Sequence, residues 1–228
     1  MCGRFAEFSS LEKLQKHFPI DKALAELMTN YNVAPTQEIL AIICQEGFNI
    51  LEKLNWGLVP HWAKDISIGN RMINARMETV SSKPSFRDAF KKRRCLIPAD
   101  GFYEWTGSKG QKQPFFITLP DEKPIAFAGL WEIWHHKENH DKTYRSCTII
   151  TREASECLKD IHNRMPAVLD PETYGVWLDQ GNQDTKQLQE ILADKTIEEF
   201  KFRSVSKQVN SVRVNDPSNI ASVSKQEA

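Results

Sequence analysis

Apolar residues recur along this chain with two different periods, and the changes from one to the other mark its elements. Near the start, Leu11, Leu14 and Phe18 in "LEKLQKHF" repeat at helical spacing behind Ser9 and Ser10, which predicts a short capped helix, and "KALAELM" predicts a second. The pattern then changes. "EILAIIC" and "FNILEKLNWGLV" are strand-like runs joined at a glycine turn, and "PSFRDAFKK" reads as a helix that opens at a proline and leads into the strand-like "RRCLIPA". "GFYEWTGSKGQKQPFFITLP" has the form of a hairpin, two alternating aromatic runs around Gly-Ser-Lys-Gly. "KPIAFAGLWEIW" and "YRSCTIIT" extend the sheet around a polar "HHKENHDK" loop, "PETYGVWL" and "TKQLQEILA" predict helices, and "FKFRSV" predicts a closing strand.

Hairpins recur side by side without a strict strand-helix alternation. The predicted class is therefore α+β, a mixed, largely antiparallel sheet or open barrel with peripheral helices, rather than a doubly wound fold. At 228 residues and 40% hydrophobic content, one core-bearing domain is expected. It is placed over residues 2–214, with 215–228 as a flexible C-terminal tail. Glycine-rich phosphate loops are absent, so no nucleotide cofactor is expected. The apolar runs are too short to cross a membrane and the N-terminus lacks the form of a signal peptide, which predicts a cytoplasmic protein.

Basic and acidic residues balance at 30 each, so contact with an anionic polymer would have to rest on local clustering. Five cysteines without a C-x-x-C pair argue against a disulfide framework and a structural zinc, and Cys44, Cys95, Cys147 and Cys157 read as core thiols. "HHKENH" offers His135, His136 and His140, but its hydrophilic setting favours solvated side chains, and no metal is expected. Cys2 stands apart. Trimming of Met1 would leave it with an amine and a thiol on adjacent carbons, able to cleave amides through the thiolate or to condense with an aldehyde and close a thiazolidine.

Three further positions could assist such chemistry. On a strand, Glu104 shares a face with Phe102 while Tyr103 and Trp105 take the other, which sets an acid beside an apolar ring and raises its pKa. His162 in "DIHNRMP" has Asp160, Asn163 and Arg164 at hand to orient it. Asn74 and Arg76 in "RMINARMET" lie on one side of an extended segment, one an amide donor and the other a cation suited to phosphate. Each also has a structural reading: an exposed hairpin acid, a packed histidine, side chains satisfying loop backbone.

Together, "MCGRFA", "YNVAP", "WGLVPHWA", "INARMET", "FRDAF", "RRCLIPADGFYEW", "QPFFI", "FAGLWE" and "DIHNRMP" occur in the order and approximate spacing of the SOS-response-associated peptidase (SRAP) family, which the chain resembles from Cys2 to Pro166. The resemblance implies a sensor of abasic sites in single-stranded DNA that forms a protective covalent crosslink. It implies Cys2 as the crosslinking residue, Asn74, Glu104 and His162 as the active-site asparagine, glutamate and histidine, and a peptidase-like self-processing step that exposes the cysteine. DNA contacts are expected from Arg4, Arg71 and Arg76, with Lys91 to Arg94 extending the track, and an apolar wedge from Pro35, Trp62 and Phe86. Family members often carry paired aromatics where this chain has Trp62 followed by Ala63. The expected partner is abasic single-stranded DNA, and the protein is expected to be a monomer. Two alternatives stay open, a cysteine autopeptidase or amidohydrolase acting on peptide bonds, and a non-covalent single-strand-binding module.

Overall fold

The run from Ile39 to Ile43 shows no polar alternation because the strand that carries it is covered on both faces. A computed structural model describes residues 2–108, 111–137 and 142–223. The chain runs through β1 (Phe5–Glu7), α1 (Leu11–His17), β2 (Lys22–Ala23), β3 (Asn30–Val33), β4 (Glu38–Gln45), β5 (Phe48–Trp56), β6 (Asn74–Arg76), α2 (Arg87–Lys92) and β7 (Arg94–Ala99). It continues through β8 (Gly101–Thr106), β9 (Gln113–Thr118), β10 (Ile125–His135), β11 (Thr143–Glu153), β12 (Arg164–Pro166), α3 (Tyr174–Leu178), α4 (Thr185–Asp194) and β13 (Lys201–Ser204).

Two sheets form, one of five strands in the order β13-β9-β8-β1-β3 and one of eight built on β12-β11-β10-β7-β4-β5-β2, with β6 paired to β11. Neighbours are antiparallel except where β11 meets β5 and β6 and where β2 meets β5. The class is thus the predicted α+β with a largely antiparallel arrangement.

The sheets face each other across one core. Ile39, Ala41, Ile43, Trp56, Phe127 and Ile149 of the large sheet meet Phe5, Val33, Phe102 and Ile117 of the small one, and Cys2 is buried at the edge of this layer. Alternate residues of the large sheet, Leu40, Ile42, Leu96 and Ala128, point to its other face, where Leu14, Phe90, Trp177 and Leu188 of the helices cover them. The outer face of the small sheet, with Tyr103 and Phe116, is covered by Val205 and Val209.

Most predicted elements form, and the exceptions have physical causes. The helix over "LEKLQKHF" is capped as expected, Ser10 accepting from the Lys13 amide. "KALAELM" is not a helix. The amides of Asp21, Leu24 and Ala25 donate to Asn49 and Leu51 on the edge of β5, and Leu24 and Met28 are left exposed. Cys157 is not a core thiol but exposed, its sulfur on the Glu198 carbonyl oxygen. The expected tail is docked as far as Val223: Asn215 accepts from the Tyr31 amide, Asn219 is buried, and Val223 donates to Ser204. Residues 224–228 of that expectation, and His140 of the histidine-rich loop, lie outside the described residues. Among the described residues no helix is long and apolar enough to cross a membrane.

Candidate active site

Cys2 owes its position to the ladder of the small sheet. Phe5 and Ala6 pair with Phe102 and Gly101, and the Tyr103 amide donates to the Arg4 carbonyl at 2.9 Å, so the ladder carries the amino-terminal residues alongside Glu104. Glu104 and Phe102 take one face of β8 while Tyr103 and Trp105 take the other, as the strand period demands. Burial pushes the Glu104 carboxyl up to about 7, with the Trp105 amide and the Lys112 cation working against it. The Cys2 thiol is likewise raised, by burial first and then by the Glu104 charge, while the Arg4 amide favours the thiolate.

Asn74 reaches the same point from the large sheet. It opens β6, in parallel register with Ile149, and the preceding Ile73 carbonyl accepts from the Trp56 indole at 2.8 Å and from the Ile149 amide at 3.2 Å. So anchored, Asn74 Nδ2 donates to the Cys2 carbonyl at 2.8 Å. Its Oδ1 is buried with no partner among the described residues, an acceptor left open. Gly57 supports this arrangement: at φ +138° it lies so close to Gly69 that a Cβ would stand 2.6 Å from the Gly69 oxygen. That contact packs the segment after β5 onto the turn leading into β6, and sequence reasoning gave neither Trp56 nor Gly57 a role.

His162 follows a tight turn in which its amide donates to Leu158. Its Nδ1 lies 3.0 Å from both the carbonyl oxygen and the amide nitrogen of Arg164. A protonated Nδ1 donates to the first and an unprotonated one accepts from the second, so the ring keeps its orientation in either state. Burial lowers the pKa of His162, helped by the cations of Lys112 and Arg164 and opposed by the hydrogen bond to Arg164. Lys112 acts on Glu104 and His162 alike, which ties the two to one site, and the sequence gave no reason to single it out.

The expected DNA contacts divide. Arg71 and Arg76 are exposed, and Pro35 is half-buried just past β3. Trp62 is 49% exposed, held out by a loop pinned on both sides, where Trp134 donates to the Ala63 carbonyl and Glu132 sits between His61 and Arg93. Arg4 is largely committed to the fold, Nη1 donating to Asn32 Oδ1 at 2.6 Å and to the Val209 carbonyl at 2.7 Å. Its remaining edge lines a groove of about 370 Å³ with Trp105, Lys112, Lys207 and Asn210. Phe86 cannot act as a wedge, because it is buried beneath α2 in the outer core. Arg94 is removed from the track as well: it is fully buried and donates to the carbonyls of Phe90, Lys91, Trp177, Asp179 and Asn182. Among the described residues no cluster of three or more His, Cys, Asp or Glu is arranged to hold a metal ion.

The family model "SOS response associated peptidase (SRAP)" matches residues 1–212. The abasic site processing protein YoqW of Bacillus subtilis is 45% identical over 97% of this chain and 100% of its own length. The abasic site processing protein YedK of Escherichia coli is 30% identical over 93% of this chain and 96% of its own. A crystal structure of a protein from Bacteroides thetaiotaomicron superposes with a TM-score of 0.83 at 24% identity, covering 97% of this chain and 100% of that one. A family match across nearly the whole chain, with Cys2, Asn74, Glu104 and His162 drawn to one site, means that the chain belongs to the SOS response associated peptidase (SRAP) family.

Proposed function

We propose that this protein recognises abasic sites in single-stranded DNA and links to them covalently through Cys2. The observation that carries the reading is the setting of Cys2, whose carbonyl is held by Asn74 and whose thiol lies beside a buried acid that titrates at about 7. The names of the relatives, abasic site processing proteins, point to the same substrate.

In the form in which Cys2 carries a free amine, that amine adds to the aldehyde carbon of the ring-opened sugar and gives a carbinolamine. Protonated Glu104 donates to the departing hydroxyl, water leaves, and a protonated imine, an iminium that keeps its N–H, forms. The thiol is kept neutral by its burial, so the Glu104 carboxylate left by the first step takes the thiol proton as sulfur adds to the imine carbon. The ring nitrogen keeps the hydrogen it carried in the iminium, Glu104 is protonated again, and the sum is aldehyde plus aminothiol giving thiazolidine plus one water. His162, with its orientation fixed in either protonation state, serves the sugar hydroxyl released on ring opening. Asn74 Oδ1 accepts from the attacking amine or a sugar hydroxyl. Arg71 and Arg76 hold flanking phosphates, Arg4 contributes its free edge, and Trp62 and Pro35 stack against unpaired bases. Hydrolysis of an amide ahead of Cys2 by the same thiol and acid is the self-processing step read from the family name.

The test is incubation of the purified protein, shown by intact mass to begin at Cys2, with a single-stranded oligonucleotide containing one abasic site. A heat-stable shifted band is expected. Cys2→Ser should lose that band and keep its affinity for intact single strands, since an amino alcohol closes the five-membered ring far less favourably. Full-yield, heat-stable crosslinking by Cys2→Ser would remove thiazolidine chemistry from the account.

A further inference from the structure

The strand that carries Asn74 and the segment that carries His162 meet at one exposed ion pair to which the chemistry above assigns no part. Arg164 grips Glu78 with both ends of its guanidinium, Nη1 to Oε1 and Nη2 to Oε2, the second at 3.1 Å. The same Nη2 donates to the Thr151 carbonyl at 2.6 Å, and that carbonyl also accepts from the Met77 amide at 2.9 Å. Thr151 belongs to β11, where it pairs with Arg76 of β6 and with Pro166 of β12. The pair therefore crosses the end of β11 and ties the residue two beyond His162 to the residue four beyond Asn74.

We propose that Glu78 is a positioning residue for His162, acting through the Arg164 guanidinium and backbone, an inference that rests on the crosslinking function proposed above. The Glu78 side chain is 44% exposed and that of Arg164 14%, and such a pair contributes only about 0–1 kcal/mol to stability. What a bidentate pair supplies is direction. It fixes the backbone of Arg164, whose amide and carbonyl are the two groups at 3.0 Å from His162 Nδ1. Burial works to raise the Glu78 carboxyl and is outweighed by the Arg164 hydrogen bond, its own amide and the charges of Arg164 and Arg76, so its pKa is lowered and it is ionised at neutral pH. Among the charged groups acting on His162 are Lys112 from the β8–β9 connection and Arg164, both cations. Glu78 is the acid that offsets the last of them.

The experiment compares wild type, Glu78→Gln and Glu78→Asp, each verified by mass to begin at Cys2. The first readout is the ring-proton NMR titration of His162 without DNA. Loss of the Glu78 charge leaves the Arg164 cation uncompensated, so the His162 titration is expected to move to lower pH in Glu78→Gln and to return toward wild type in Glu78→Asp. The second is the single-turnover rate of crosslinking to abasic oligonucleotide across pH. Loss of alignment on the order of 1 Å predicts a rate lower by about 10- to 100-fold in Glu78→Gln. Affinity for intact single strands should be unchanged or tighter, since a negative charge has been removed. A wild-type His162 titration together with a wild-type rate profile in Glu78→Gln would overturn the proposal, as would a slowed rate explained wholly by weaker binding. Should wild type itself form no crosslink, the proposed function fails, and the role of Glu78 then stands or falls on the His162 titration alone.

Discussion

Replacement of Glu104 by Gln keeps the shape of the side chain and removes its proton. The ordinary value for this carboxyl is 4.5, and burial on β8 raises it to about 7. At pH 7 an ordinary glutamate is protonated about 0.3% of the time and this one about half, so burial enlarges the acid form about 150-fold. The amine of Cys2 must be neutral to attack, and an unperturbed α-amine titrates at about 7.7. A neutral amine rising through 7.7 and an acid form falling through 7 give a bell-shaped profile with its maximum at about pH 7.4. Glu104→Gln should lower the single-turnover rate by about 10² to 10⁴ and abolish the falling limb, leaving a profile that rises with the amine and then stays level. The assay is quench-flow or manual sampling of the heat-stable band from pH 5.5 to 9.5, with affinity for intact single strands measured alongside. A Gln variant that keeps both the falling limb and the wild-type rate would refute acid catalysis by Glu104 and leave it a structural role.

Arg94→Ala should cost about 3–5 kcal/mol of stability, since five carbonyl acceptors lose a fully buried partner and a cavity is left behind; denaturant unfolding measures this, and the salt dependence of DNA binding should not change. Glu7 shows a different pH dependence. Burial, more than the neighbouring Asp100, raises its carboxyl from 4.5 to about 8 against the opposing Leu40 amide and Lys53 charge, so between those values the folded state binds a proton that the unfolded state releases. Its contribution is fully present below about 4.5 and is lost as pH rises toward 8, a decline on the order of 3 kcal/mol that Glu7→Gln should remove from unfolding curves taken at pH 5 and 8.5. Equal declines in wild type and Glu7→Gln would show that Glu7 is as solvated as an ordinary glutamate.

The sequence by itself determined a good deal. Periodicity marked the strands, because a run such as Ile39–Ile43 can be satisfied only where both faces are covered, and it separated Glu104 from Trp105, because successive strand residues must face opposite ways. Motif order carried the choice of Cys2, Asn74, Glu104 and His162. Only the tertiary structure decided the fate of residues whose role depends on what arrives from far along the chain. Arg94 and Arg93 are indistinguishable in "KKRR", yet α3 and the loop after it bring three carbonyls to the first, while Glu132 on β10 pairs with the second. Phe86 and Trp62 are both aromatics near a glycine- or proline-marked turn, but α2 rolls one inward and two anchored flanks hold the other out. "KALAELM" has helical spacing and still forms none, because the free edge of β5 offers its amides acceptors at once, whereas a helix would need an apolar face to pack against. The clamp from Glu78 to Arg164 belongs to the same class, a long-range pairing that no local pattern of residues encodes, whereas the raised carboxyl of Glu104 followed in direction from the strand alternation and took its size from the packing of the sheets.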